Sequence, residues 1–249
     1  MADTLRGKVA LVTGASSGIG EATTYALAAE GAYVAASARR PDRLDSVVKR
    51  IHDRGGQAIA IVADVADEKQ VNDMVNRTGE QWGRLDILVN NAGIMLLGKI
   101  ASANAEDWRR MINVNVLGLM YTTHAALPIM QKQKSGHIVN ISSVAGRTAR
   151  VGSGAYNVTK WGVVAFSEAL RQEVLQDNIR VTVIEPGAVA TELPEHITDP
   201  EARQQTEEWV KSLQPLQSED IADAILYAVT RPQYVDINEM LIRPTQQAR

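Results

Sequence analysis

The chain has 249 residues, 45% hydrophobic and 22% charged, a balance that fits one large α/β domain or two small ones. A net charge of −3 gives no footing for nucleic acid or an anionic membrane surface. The absence of cysteine excludes disulfides, thiolate zinc sites and cysteine nucleophiles, and it suits a cytoplasmic protein.

Short apolar runs alternate with amphipathic stretches along the whole chain. KVALVT (8–13) reads as a buried strand, followed by a helix from GIGEATTYALAAEG that ends at Gly31. AYVAASA (32–38) is a second strand and PDRLDSVVKRIHDRG a charged helix. AIAIVAD (58–64) is a third strand, DEKQVNDMVNRTGEQWG a helix, and LDILVNNAG (85–93) a strand running into a turn. A long helix is expected over 105–133, a strand at HIVNISS (137–143) and a helix over 154–176. IRVTVIEPG (179–187) is the sixth strand, two helices follow near 199–212 and 218–230, and EMLIRP (239–244) is the seventh strand. The first 16 residues hold no long apolar run, so no signal peptide is expected. No window approaches the roughly 20 apolar residues of a membrane-spanning helix.

This alternation predicts βαβ units and a parallel sheet covered on both faces. No linker interrupts it, so a single domain over 1–249 is expected. An eight-stranded barrel shares the alternation. Seven strands and the glycine turn after the first favour a Rossmann-like, doubly wound sheet of mainly parallel strands in the order 3-2-1-4-5-6-7.

That turn is TGASSGIG, with Gly14, Gly18 and Gly20 around Ser16, Ser17 and Ile19. The spacing is neither G-x-G-x-x-G nor a P-loop. It still offers close backbone approach and the free N–H groups of a helix start, which together cradle phosphate. A tight strand-to-helix turn that binds nothing would look the same. Strand two ends in SARR, with Arg39 and Arg40 and no acid to meet the ribose hydroxyls of NAD. Guanidinium groups there favour a 2′-phosphate, and hence NADP(H). Either arginine would also suit a solvated helix start, Arg40 more so than Arg39.

Further signals sit at strand ends, where ligands bind in open parallel sheets. They are NNAG (90–93), Ser142 and Ser143, and Pro186 with Gly187, joined by NVN (113–115) and by Tyr156 and Lys160 one turn apart. A phenol alone is a poor base at neutral pH, with a pKa of about 10. A cation placed four residues on along one helix face is expected to lower that value and ease proton transfer. An ordinary amphipathic pair has the same spacing. His52, His124, His137 and His196 are scattered with no metal-ligand spacing, so no metal is expected. The G-x-S-x-G of a serine hydrolase is missing.

Taken in order and spacing, these motifs resemble the short-chain dehydrogenases/reductases, in their non-extended branch, over nearly the whole chain. The resemblance implies Asn115, Ser143, Tyr156 and Lys160 as a catalytic tetrad. Tyr156 would exchange the proton and Ser143 orient the substrate oxygen. Lys160 would also hold the nicotinamide ribose, and Asn115 would keep a water against Lys160. A nicotinamide cofactor would lie along Gly14, Ser16, Ser17, Gly18, Ile19, Gly20, Arg39 and Arg40. Asp64 and Val65 would meet its adenine. Asn91, Ala92, Gly93, Pro186, Gly187, Val189 and Thr191 would line the rest.

The substrate pocket is expected from Met95, Ser143, Val144, Arg147, Val151 and Leu193, with 188–213 as a mobile lid whose second half also suits a surface helix. Arg147 either meets an anionic substrate or is simply exposed. The ending INEMLIRPTQQAR lacks a V-D-G-G turn. With IMLLG and VIEPG, it looks most similar to clavulanate dehydrogenase-like and 3-hydroxy acid (serine-type) dehydrogenase-like NADP-dependent members. The implied activity is hydride transfer between NADPH and the carbonyl of a ketone, aldehyde or β-keto compound. The implied assembly is a homotetramer or dimer built on 105–133 and 154–176. A catalytically silent NADP(H)-binding sensor is the alternative, and it would have no need of Tyr156.

Overall fold

The computed structural model describes residues 4–248. Its strands are β1 (Val9–Thr13), β2 (Tyr33–Ala38), β3 (Gln57–Val62), β4 (Ile87–Asn90), β5 (Gly136–Ile141), β6 (Ile179–Pro186) and β7 (Glu239–Ile242). They form one sheet in the order β3-β2-β1-β4-β5-β6-β7, and every neighbouring pair is parallel. The open edges at β3 and β7 remove the barrel alternative.

The helices are α1 (Gly18–Ala29), α2 (Pro41–Asp53), α3 (Glu68–Trp82), α4 (Ala105–Ile112), α5 (Gly118–Gln133), α6 (Gly154–Glu173), α7 (Pro200–Lys211) and α8 (Ser218–Val229). The single long helix expected over 105–133 is instead α4 and α5 joined by a π-helical turn at Asn113–Leu117. Hydrophobic periodicity does not register one extra residue in a turn, so this break was invisible in the sequence.

Alternation along each strand sorts the core. In β1, Ala10 and Val12 pack with Leu27 of α1, Leu44 of α2 and Ile225 of α8. Val9 and Leu11 face the other way, onto Met74 of α3, Met130 of α5 and Leu170 of α6. All five β1 residues are buried, as a central strand covered on both faces must be. Strand order reverses between β1 and β4, and the crevice opens there at the carboxyl ends. No helix among the described residues is long and apolar enough to cross a membrane.

One buried polar network fixes the floor beneath that crevice, and a second buried polar pair sits at the opposite end of β5. Asn90 donates to Asn140 Oδ1 at 2.9 Å and to Thr123 Oγ1 at 3.0 Å, and Asn140 donates to Ser167 Oγ at 2.8 Å. This ties β4 and β5 to α5 and α6. His137, on β5, shares a 2.7 Å hydrogen bond with Thr182 and is wholly enclosed. Burial, with the Arg180 charge adding, holds its pKa well below 6.5. The folded protein keeps this imidazole neutral while the unfolded chain protonates it, so stability falls as pH drops below about 6.5. The expected loss is up to about 1.4 kcal/mol per pH unit. Urea unfolding of wild type and His137→Asn between about pH 5 and 7 checks this, with the slope flattened in the variant.

Candidate active site

The glycine turn closes onto the start of α1. Gly14 and Gly18 have φ of 67° and 57°, and a Cβ on Gly20 would stand 2.3 Å from the Gly14 carbonyl. Thr13 Oγ1 accepts the N–H groups of Asn91 and Ala92 at 3.1 Å, and Asn91 Nδ2 donates to the carbonyls of Thr13 and Gly14. The NNAG segment is therefore stitched to the turn. Ser17, at the N-cap of α1, caps no helix N–H. Its hydroxyl instead accepts from Arg40 Nη2 at 2.7 Å, which leaves the first N–H groups of α1 facing the crevice.

Arg40 and Arg39 differ. Arg40 bonds Ser16 through Nε and Nη2 and reaches Glu192 Oε2 at 3.0 Å; the other Glu192 oxygen takes Arg43 at 2.5 Å. Glu192 is thus the hub of a latch between the glycine turn, α2 and the 188–214 segment. Its two arginine partners lower its pKa, Arg43 most. Sequence reading missed it, because nothing local marks a partner 152 positions from Arg40. Arg39 is exposed, lines the crevice and, among the described residues, forms no ion pair with a carboxylate.

One cavity of about 630 Å³ runs from this turn to the start of α6, within the range of small-molecule sites. Of the residues expected along the cofactor, Gly20 does not line it, whereas Gly14, Ser16, Ser17, Gly18, Ile19, Arg39, Arg40, Asp64, Val65, Asn91, Ala92, Gly93, Pro186, Gly187, Val189 and Thr191 do. Ser143, Tyr156 and Lys160 converge at its inner end. Lys160 Nζ donates to the Ile141 carbonyl at 2.9 Å and stands 5.7 Å from the centre of the Tyr156 ring. The Ser143 hydroxyl accepts from Ala145 N–H and is hydrogen-bonded with Tyr156. Ser142 points inward, donating to the Lys160 carbonyl at 2.9 Å.

Asn115 lies in the π-helical turn, out of the cavity. Its amide donates to the Ile94 carbonyl at 2.8 Å and to Thr159 at 3.1 Å, and its oxygen accepts the Ile94 N–H at 2.8 Å. This clamps the segment after β4 to α6, and it is the side chain's main observed work.

The electrostatics differ from the sequence expectation. Burial raises Tyr156 to about 12, with the Ser143 hydrogen bond opposing, and burial lowers Lys160 to about 8. The ammonium faces the ring and the Ile141 carbonyl, so desolvation of both groups outweighs its pull on the phenol.

Met95, Val144, Val151 and Leu193 line the cavity, as Ser143 does, but Arg147 does not. Its guanidinium holds the fully buried Glu185 at 2.8 and 3.0 Å and also pairs with Glu239, both of which raise its pKa. A buried carboxylate on β6 demanded a cation, and no local pattern in the sequence reveals that need. The arginine on the wall is Arg150, stacked 5.2 Å from the Trp209 ring of α7. Among the described residues no cluster of three potential metal ligands occurs.

Comparisons with known proteins place the fold that carries this cavity. The short chain dehydrogenase family profile matches residues 8–202. An uncharacterized oxidoreductase of Staphylococcus saprophyticus is 41% identical over 247 residues, covering 98% of both chains. The closed form of serine dehydrogenase complexed with NADP+ superposes with a TM-score of 0.90 at 34% identity, over 97% of this chain and 96% of that one. A metagenomic short-chain oxidoreductase in complex with NADP gives 0.83 at 31%, over 98% and 100%. The chain belongs to the short-chain dehydrogenase family.

Proposed function

We propose that this protein is an NADP(H)-dependent oxidoreductase that interconverts a small-molecule ketone, aldehyde or β-keto compound with its alcohol. One observation carries the reading: Ser143, Tyr156 and Lys160 meet at the inner end of a single cavity whose other end is the glycine turn and Arg39.

A dinucleotide fits the residues present. Glycines let the turn fold tightly against Asn91, Ala92 and Thr191 along the cavity wall, the first N–H groups of α1 carry no side-chain cap, and Arg39 supplies an exposed cation at the end of β2. Ser16, Ser17, Gly18 and Ile19 would hold the pyrophosphate, Arg39 with Arg40 the 2′-phosphate, and Asp64 with Val65 the adenine. NADPH supplies the hydride when bound.

The chain's own residues handle the proton. With its pKa near 12, Tyr156 stays protonated at neutral pH and is poised as the acid that delivers a proton to the substrate oxygen. Ser143 holds that oxygen against the phenol. Lys160, mostly charged below its pKa of about 8, offsets the negative charge left on Tyr156. Alcohol oxidation runs the same proton in reverse. Asn115 keeps this geometry by fixing Ile94 to α6.

Segment 188–213 acts as a lid, and the assembly is a homotetramer or dimer. Val158 and Trp161 of α6 are exposed beside Met120 of α5, the faces that such a contact would cover.

The direct test follows loss of reduced-nicotinamide absorbance with NADPH, and separately NADH, against β-keto esters, aryl ketones, small aldehydes and 3-oxo acids. Turnover with NADPH supports the reading. Tight NADPH binding with no turnover across the panel favours the silent sensor. Ala38→Asp combined with Arg39→Ala should shift the NADPH/NADH ratio of kcat/KM toward NADH by about 100-fold, through charge repulsion and a lost charge-assisted contact. An unchanged ratio overturns the 2′-phosphate assignment.

A further inference from the structure

The chain's last residues do unexpected work. After β7 the tail turns, with the Gln247 N–H donating to the Pro244 carbonyl at 2.9 Å. The Gln247 side chain is then buried against Gly187, where a Cβ would stand 2.3 Å from Gln247 Oε1. That oxygen accepts the Ala188 N–H at 2.8 Å. The adjacent Gln246 accepts the Gln214 N–H at 2.8 Å. Ala188 opens the 188–213 lid and Gln214 directly follows its last residue. The ends also meet each other, since Leu216 N–H donates to Ala188 O at 3.0 Å and Ala190 N–H to Leu216 O at 2.9 Å. Gln247 lines the same cavity as the glycine turn and Lys160.

Two consecutive glutamines therefore hold the two roots of one segment. The Ala188 N–H is buried and has no strand partner beyond the sheet, so without Gln247 it would be left unsatisfied. The lid begins where the cofactor wall, Pro186 and Gly187, ends. Near its start, Glu192 latches it to Arg40 and Arg43.

We propose that Gln247, assisted by Gln246, is a positioning residue. The tail clamps both roots of the 188–213 lid at the cavity wall and so sets how long the dinucleotide is retained. This rests on the NADP(H) reading for the identity of the ligand.

The test compares Gln247→Met, which keeps bulk but loses the oxygen acceptor, with Gln247→Glu, which keeps length and acceptor. NADPH affinity and dissociation are read by fluorescence and stopped flow, and melting temperature on the ligand-free protein. Gln247→Met should weaken NADPH binding about threefold to tenfold, mostly by faster release, as expected for one buried hydrogen bond. Gln247→Glu should recover most of that loss, and the ligand-free melting temperature should move by less than about 3 °C. Unchanged affinity and release in Gln247→Met overturns the proposal. So does a loss matched by a larger fall in melting temperature, because the residue then serves only general stability. If wild type binds no NADPH, the functional reading fails instead. Limited proteolysis within 190–214 then decides the clamp. Faster cleavage in a Gln246→Ala, Gln247→Met double variant supports it, and equal cleavage sinks it.

Discussion

Replacing Tyr156 by Phe removes the oxygen that serves as acid in the proposed carbonyl reduction: kcat should fall by about 10³-fold, the usual span of a general acid. NADPH affinity should stay within about threefold, since the ring and its contact with Lys160 remain. The pH profile adds a second signature. Wild-type reduction needs protonated Tyr156 and charged Lys160. With these at about 12 and about 8, kcat/KM for reduction should hold steady at neutral pH and decline as pH rises through about 8. The lysine, which burial discharges first, sets that limb. Lys160→Arg keeps a cation that does not titrate there and should remove the limb while lowering the rate, because a planar guanidinium does not reproduce the ammonium's contact with the Ile141 carbonyl. A Phe variant with substantial turnover would discard Tyr156 as the acid.

The sheet was readable because each signal is local. Apolar runs of five to eight residues, each followed by an amphipathic stretch, determine parallel order almost by topology alone, and β1 to β7 fall where those runs lie. The convergence of Ser143, Tyr156 and Lys160 was readable too, since strand ends and helix starts share one edge. What escaped depends on partners far along the chain. Glu192 sits opposite Arg40, Gln247 opposite Ala188, and Arg147 opposite Glu185. Each of these side chains is ordinary in its own window and acquires a role only from what the fold sets against it. The pKa of Tyr156 failed for a related reason: spacing along a helix reports proximity to Lys160 but not the depth to which both groups are buried.

Arg147 is where that distinction has its largest consequence for stability. Glu185 is fully buried on β6, immediately before Pro186 and Gly187 at the cofactor wall, and Arg147 grips both its oxygens. Truncation by Arg147→Ala strands a carboxylate with its charge uncompensated. Loss of one partner from a wholly buried pair costs about 3–5 kcal/mol, and partial exposure of Arg147 brings the expectation to about 2–4 kcal/mol, or about 5–12 °C in melting temperature for a chain of this size. A pair is not itself a stability gain, so replacing both members should recover most of the loss: Arg147→Met with Glu185→Leu should melt closer to wild type than Arg147→Ala does. Because β6 leads straight into the cavity wall, the single variant should also bind NADPH less tightly, and the double variant should regain affinity with stability. A substrate-anchoring role predicts the opposite pattern. Melting temperature would be unchanged, NADPH binding intact, and KM raised only for anionic substrates. Thermal denaturation of the single and double variants, read beside KM for a neutral and a carboxylate substrate, separates the two.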